Sequence, residues 1–287
     1  MADGDSLLPQ GQLSSRYTSC THNLVVIRGA GDLATGVAHR LHRSGFLVLM
    51  TEIAQPRALR RAVSFASAVY EGSITVEGVT ARLVRSAGEA LEVVRRSDVA
   101  VLVDPDAREA LTLRPEVLVD AIMAKRNLGT RADDAAIVIG LGPGFVAGGD
   151  VHLVVETARG HSLGRVITAG SAEADTGVPG SILGYARERV LWSPADGVFF
   201  GLRRIGEAVR AGDPVARVGH ALVYAGVGGV LRGLLHDGLA VRAGEKVGDV
   251  DPRGDPEYCA TISDKARAVA GGVLEGILYA RRQLTAR

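Results

Sequence analysis

The hydrophobic pattern alternates between unbroken apolar runs and helical spacing, and the alternation begins at residue 24. Leu24 to Ile27 is continuously apolar, and Leu33, Val37 and Leu41 follow at i, i+4 and i+8, which predicts a buried strand running into a helix. Gly45 ends that helix, and Phe46 to Met50 predict a second strand that finishes at Thr51-Glu52. Pro56 stands where a first helical turn would place it, ahead of an apolar stripe of Leu59, Ala62, Val63 and Ala66. Ser73 to Val84 holds Glu77-Gly78 between two β-branched runs, which reads as a hairpin. Strands are expected at Asp98 to Asp104 and Ala136 to Ile139, and short ones at Val151 to Val155 and Arg165 to Thr168, with glycine-rich loops between them. Towards the end of the chain, "ISDKARAVAGGVLEGIL" sets Ser263 at an N-cap position, with Ala266, Ala270, Val273 and Ile277 on one helical face. Gly271-Gly272 within that helix costs about 1 kcal/mol per glycine relative to alanine, so another backbone is expected to pack closely there.

A 32-residue internal repeat is the most specific pattern in the chain. "GVFFGLRRIGEAVRAGDPVARV", starting at Gly197, returns as "GVLRGLLHDGLAVRAGEKVGDV", starting at Gly229. Gly197, Gly201, Gly206, Val209, Gly212, Val215 and Val218 map one by one onto Gly229, Gly233, Gly238, Val241, Gly244, Val247 and Val250. Short strands separated by glycine turns, in two interlocking copies, resemble the barrel-sandwich hybrid of biotinyl and lipoyl carrier domains. Those carriers need a modifiable lysine at the hairpin between halves, and the corresponding "VGHALVYA", residues 218 to 225, has none. The module is therefore expected to be a structural or interaction module, not a swinging arm.

The patterns together predict an α/β Rossmann-like N-terminal domain, a C-terminal all-β barrel-sandwich hybrid (biotinyl/lipoyl-like) module and a terminal helix. The expected boundaries are a disordered extension over 1–22, the α/β domain over 23–185, the β module over 190–252, and a helical segment over 255–287 that packs back on the α/β domain. Composition fits a folded protein: 287 residues, 47% hydrophobic and 23% charged, can bury a substantial core. A net charge of +1 gives no sign of nucleic-acid or membrane partners, and no apolar run reaches the roughly 18 residues of a membrane span, so a cytoplasmic protein is expected. Cys20 and Cys259 are too far apart in sequence to suggest a disulfide framework or a metal-ligand pair. Positive charge is written almost entirely as arginine, with three lysines, Lys125, Lys246 and Lys265, against thirty arginines.

Between the first strand and helix stands Gly29-Ala30-Gly31-Asp32-Leu33-Ala34, a G-x-G-x-x-A turn in the strand-to-helix context of a dinucleotide fingerprint. Gly29 permits the tight turn, Gly31 lets backbone approach a pyrophosphate, and Ala34 lets the helix pack close to the strand; the helix N-terminus then faces the anion. Glu52, about twenty residues on, stands where a carboxylate accepts from ribose hydroxyls. Asp32 brings a negative charge towards that anion and needs a neutralising partner, which Arg28 can supply. The alternative is a capping Asp and a strand-end Arg on a fold without a ligand. Arg57, Arg60 and Arg61 either meet a phosphate or form a solvated basic face.

Ligands of open α/β sheets gather at the carboxyl ends of strands, so Arg28, Glu52, Asp104 and the second glycine turn, with Gly142 and Gly144, are expected to share one crevice. Lys125 belongs there if its retention reflects a need for a compact ammonium, and is chance otherwise. Asp150, His152, Glu156 and His161 match no defined metal-ligand spacing, so no metal is expected; Arg159 and His161 suit an anion-binding loop or a plain surface loop. Cys259 is either a reactive thiol near a helix start or a small buried apolar residue.

With those pieces placed, the chain from about residue 24 to 280 resembles the YqeB family, accessory proteins of selenium-dependent molybdenum hydroxylases. The resemblance rests on "IRGAGDLATGVAHRL", "TEIAQPRALRR", "VDAIMAKRNLGT", "GLGPGFVAGGDV", "ETARGHSLGRVI", "TGVPG", "GVLRGLL", "DVDPRG" and "ISDKARAVAGGVLE". A looser kinship joins the α/β part to XdhC-type maturation factors. What the resemblance implies is a maturation factor that binds the molybdenum cofactor, a pterin dinucleotide, or another dinucleotide during sulfuration, selenation or delivery. Its implied partners are a molybdenum hydroxylase and its maturation machinery, with an oligomer possible. Gly29, Gly31 and Ala34 would cradle phosphate, Glu52 would read ribose, Arg28 and Lys125 would balance charge, and Cys259 would be the outside candidate for the chalcogen. An NAD-dependent oxidoreductase using Asp104, Lys125 or His161 as proton carrier, and a scaffold without ligand, are the other readings of the same residues.

Overall fold

The computed structural model describes residues 21–285. Of the extension expected over 1–22, residues 1–20 lie outside the described residues, while Thr21 and His22 already belong to the first strand. The chain runs β1 (Thr21–Arg28), α1 (Asp32–Arg43), β2 (Leu47–Glu52), α2 (Ala68–Glu71), β3 (Ser73–Val76), β4 (Val79–Val84), α3 (Ala87–Arg95), β5 (Val99–Val103), α4 (Arg108–Leu111) and β6 (Pro115–Asp120). It continues through β7 (Ile137–Leu141), β8 (Leu153–Val155), β9 (Val166–Ile167), β10 (Val190–Trp192), β11 (Gly197–Gly201), β12 (Ala208–Val209) and β13 (Pro214–Val218). It ends with β14 (Ala221–Tyr224), β15 (Gly229–Leu234), β16 (Ala240–Val241), β17 (Lys246–Asp251), α5 (Glu257–Ala260) and α6 (Asp264–Thr285).

Nine strands form one mixed sheet in the order β3-β4-β5-β2-β1-β6-β7-β8-β9. The strands from β4 to β8 in that order pair in parallel, while β3 and β9 close the two edges antiparallel. The central β1 explains its own unbroken apolar run, because both faces are covered: Val25 and Ile27 join the core beneath α1 and α6, and Leu24 and Val26 join the core on the other face. The Glu77-Gly78 hairpin turn has φ of 44° and 82°, the left-handed pair that a two-residue turn between β3 and β4 requires.

This architecture corrects the expected fold class. A Rossmann-like domain places a helix in each crossover, and here the β6–β7 and β7–β8 connections contain none. The missing cover comes from the far end of the chain, where α6 packs against α1 and lies over β7, β8 and β9. Its close approach uses the glycines singled out in the sequence: a Cβ on Gly272 would sit 2.1 Å from the Gly164 carbonyl oxygen. On the opposite helix, a Cβ on Gly36 would sit 2.8 Å from that of Ala266. The repeat region corrects the second half of the expectation. Instead of one barrel-sandwich hybrid, two four-stranded sheets are present, β10-β17-β15-β12 and β14-β13-β11-β16, with β10 entering from outside the repeat. Within each sheet the pairs are antiparallel, around a core of their own that includes Phe199, Val215, Leu231 and Val247.

Two local expectations also change. The Pro56 segment forms no long helix but two 3-10 turns, Arg61–Val63 and Phe65–Ser67, before α2. Tertiary hydrogen bonds override its helical stripe: Phe65 N donates to Thr35 Oγ1 at 2.8 Å, Ala66 N to the Ala30 carbonyl at 2.8 Å, and Leu234 N to the Leu59 carbonyl at 2.9 Å. The segment is thus a strap between the large sheet and the β15 strand. The β6 strand, which lies beside β1, has no counterpart among the expected elements, although its apolar run Val117 to Val119 is fully buried.

Candidate functional site

Two adjoining cavities open above the carboxyl ends of the parallel strands. The first, about 580 Å³, is lined by the Gly29–Ala34 turn, Thr51 to Ile53, Arg57, Pro105, Asp106 and Ala121 to Met123. The second, about 650 Å³, shares Asp32, Leu33 and Met123 with it and extends to the β17 strand and the start of α6.

The glycine turn is built as its sequence suggests, though its two glycines do different work. Gly29 has φ +90°, donates to the Thr51 carbonyl at 2.8 Å, and would place a Cβ 3.1 Å from the Ala121 oxygen, so its role is close packing beside β6. Gly31 is the residue before α1, and a Cβ there would meet nothing within 4 Å. Its missing side chain leaves open space in the first cavity at the N-terminus of α1, where the Leu33 N–H already donates to Asp32 Oδ1 at 2.9 Å. Ala34 is buried at the base.

Glu52 also lines this cavity, but its carboxylate is already bonded to backbone: Oε2 accepts from Ala30 N at 2.9 Å and Oε1 from Ile53 N at 2.8 Å. Burial pushes its carboxyl above the usual range, against the lowering effect of those two N–H groups. The remaining lone pairs stay open to hydroxyl donors from the cavity.

Arg28 does not neutralise Asp32. Its guanidinium is buried against Asp120 Oδ2 at 3.3 Å and Thr130 Oγ1 at 2.5 Å, and Thr130 Oγ1 donates in turn to Asp120 at 2.6 Å. Asp120, at the end of the unforeseen β6, is the partner that sequence reading misses. The cation beside Asp32 is instead Arg60, at 3.3 Å.

Several other expected site residues are committed elsewhere. Both Asp104 oxygens accept backbone N–H groups, from Arg108 at 3.0 Å and Ala110 at 2.9 Å, so this carboxylate holds the short α4 and does not line either cavity. Gly142 and Gly144 are packing residues, since a Cβ would sit 2.4 Å from Thr157 Oγ1 in the first case and 2.6 Å from Arg126 backbone in the second. His161 is exposed and lines neither cavity. Cys259 is 3% exposed with Sγ directed to the Leu231 carbonyl, and burial pushes its thiol up, the opposite of activation.

The second cavity gathers Lys125 and Arg159 from the expected set and adds residues that were not expected. Lys125 Nζ lies 2.5 Å from Asp175 Oδ2, and Arg159 forms a two-pronged pair with Asp264 at 2.8 and 3.0 Å. Arg189 pairs with Asp249 at 3.0 Å, and Arg232 lies 3.5 Å from Asp251. Arg60 and Arg232 each retain a buried Nε without a hydrogen-bond partner. Among the described residues, no cluster of three or more His, Cys, Asp or Glu could hold a metal ion.

Comparison with known proteins places the chain. It is 51% identical over 275 residues to the uncharacterized protein YqeB of Escherichia coli (strain K12), a match that covers 96% of this chain. The chain is a YqeB relative. It spans about half the length of that curated relative, 51% of it. No family model matches. Fold comparison reaches the product-bound ectoine utilization protein EutE (DoeB) of Ruegeria pomeroyi at a TM-score of 0.24 and 15% identity, covering 79% of this chain and 84% of that one. It also reaches a succinylglutamate desuccinylase from Silicibacter sp. TM1040 at 0.25 and 16% identity, with the same coverage of 79% and 84%. An aspartoacylase family protein from Mesorhizobium loti follows at 0.26 and 13% identity, again covering 79% and 84%. Overlaps this loose fix neither a shared fold nor an activity. Among the described residues, no helix is long and apolar enough to cross a membrane.

Proposed function

We propose that this YqeB relative binds an anionic dinucleotide in the paired cavities and acts as an accessory factor in the maturation of a molybdenum hydroxylase. The observation that carries the binding half is Gly31: its absent Cβ leaves a space that a side chain would fill, over the N-terminus of α1 and within one cavity with Glu52. The residues fit a pterin dinucleotide on that ground. Gly31 and the first turn of α1 would receive the diphosphate, Glu52 would accept from the ribose, and the positive charge of Arg60 and Arg232, which line the second cavity, would attract further anionic groups. When bound, such a cofactor would carry the molybdenum chemistry that the partner enzyme uses, and this chain's part is to hold and shield it.

The oxidoreductase reading has less support. Asp104 is spent on α4, His161 lies outside both cavities and Lys125 is paired with Asp175, so none of the three is a free proton carrier. The oxidised nicotinamide ring is itself cationic and would meet a cavity lined by seven cationic side chains and four carboxylates.

Native mass spectrometry of the full chain, purified from a molybdate- and selenite-fed host, tests the proposal. A retained pterin dinucleotide, lost in Gly31→Val, is the expected result. A retained nicotinamide dinucleotide, or protein that binds no dinucleotide when offered one, overturns it; the latter supports the scaffold reading.

A further inference from the structure

All three lysines of a chain that otherwise writes its positive charge as thirty arginines line the same 650 Å³ cavity. They arrive from separate parts of the chain: Lys125 from the β6–β7 connection, Lys246 from the first position of β17, and Lys265 from the first turn of α6. We propose that this cavity is a binding site for a phosphate-class oxyanion, held chiefly by Lys246 and Lys265. The inference goes beyond dinucleotide binding at Gly31 and does not depend on it.

Charge balance carries the argument. Asp249 has Arg189 at 3.0 Å, Asp175 has Lys125 at 2.5 Å, and Asp32 has Arg60 at 3.3 Å. These pairs brace the wall and consume most of its negative charge. Lys246 and Lys265 are half-buried, and neither ammonium has a hydrogen bond or an ion pair among the described residues. Burial lowers both ammonium groups; at Lys246 the carboxylates of Asp249 and Asp32 work against that and Arg189 and Arg232 with it, and at Lys265 Arg159 works with it and Asp32, Asp175 and Glu156 against it. Arg232, a tenth exposed by its side chain, keeps its Nε unpartnered in the same lining. The lining holds seven cationic side chains against four carboxylates, and an oxyanion offsets that excess while supplying acceptors for the two ammonium groups that have none.

Lysine chemistry narrows the ligand. The guanidinium groups here are already engaged with carboxylates, Arg159 with Asp264 as a two-pronged fork, whereas an ammonium on a flexible stem turns its three donors to meet a tetrahedral anion as a point charge. The anion can be the phosphates of a nucleotide seated at Gly31 or a free oxyanion.

Calorimetric titration of the full chain with inorganic pyrophosphate, at fixed ionic strength in chloride, tests the site. Wild-type protein should bind, Lys246→Gln/Lys265→Gln should weaken binding about tenfold or more, and Lys246→Arg/Lys265→Arg should restore most of it. Thermal melts of both variants check that the fold is retained. Gly31→Val tells the two cavities apart: binding lost in the Gln variant and kept in Gly31→Val places pyrophosphate at the lysines, whereas binding kept in the Gln variant and lost in Gly31→Val places it at the glycine turn and overturns the proposal. Added ADP that excludes pyrophosphate assigns the anion to a nucleotide's own phosphates, and an unchanged isotherm in ADP assigns it to a free oxyanion. No binding by wild type, or equal binding by the Gln variant, overturns the proposal.

Discussion

The Arg60 guanidinium stands 3.3 Å from the Asp32 carboxylate at the first turn of α1, and its other terminal nitrogen donates to the carbonyls of Tyr258 at 3.0 Å and Thr261 at 2.9 Å. One side chain on the strap therefore ties the glycine turn to the segment leading into α6. Arg60→Met removes the ion pair and both bonds while keeping the apolar stem. A loss of about 2–4 kcal/mol is expected in urea denaturation, and Arg60→Lys should recover only part of it because one ammonium cannot span the three acceptors.

The two glycines of the turn separate under substitution. Gly29→Ala forces a Cβ into φ +90° and to 3.1 Å from the Ala121 oxygen, so a destabilisation of about 1–3 kcal/mol is expected. Gly31→Ala meets no atom within 4 Å and should leave the free energy of unfolding within about 0.5 kcal/mol of wild type. Equal losses at the two positions would refute the division of labour between packing and cavity.

Arg28 and Asp120 form a buried pair, with side chains 5% and 3% exposed. Asp120→Asn leaves the guanidinium without its counter-charge and should cost about 3–5 kcal/mol. The double variant Arg28→Met/Asp120→Asn should be less destabilised than the sum of the two single changes, as an unfolding double-mutant cycle would show.

How much of this was legible in the sequence depended on whether the determinant was local. The Gly29–Ala34 turn, the Glu77-Gly78 hairpin and the Ser263 start of α6 are set by residues within a few positions of each other, and each was visible. The Pro56 segment misled because its hydrogen-bond partners, Ala30, Thr35 and Leu234, lie far away in sequence. The glycine pattern around 142 and 144 looked like a ligand loop, yet those glycines make room for Thr157 and the Arg126 backbone, which spacing does not reveal. The rarity of lysine was visible too; that all three line one cavity was not, because it depends on β17 and α6 returning to the large sheet.

Cys259 gives a direct measure of opening. Its thiol is 3% exposed and raised by burial, so alkylation of native protein in a Cys20→Ser background should be slow and should accelerate with urea in step with unfolding. Rapid labelling of folded protein would return this thiol to the reactive candidates.

Asp264 sets a sign for acid stability. The two-pronged bond from Arg159 holds its carboxyl well below the usual carboxylate range, with the Lys265 N–H adding to the effect. A depressed folded value means that the unfolded chain binds the proton first as pH falls, so the contribution is fully present above about pH 4 and fades below it. Asp264 is 73% exposed by its side chain, which screens the pair and limits its worth to about 1 kcal/mol. Asp264→Asn should therefore lower stability by a constant amount between pH 5 and 7, with the gap to wild type closing on acidification below about 4. A gap that widened on acidification would mean that Asp264 is protonated more readily in the folded chain than in the unfolded one, contrary to its pairing with Arg159.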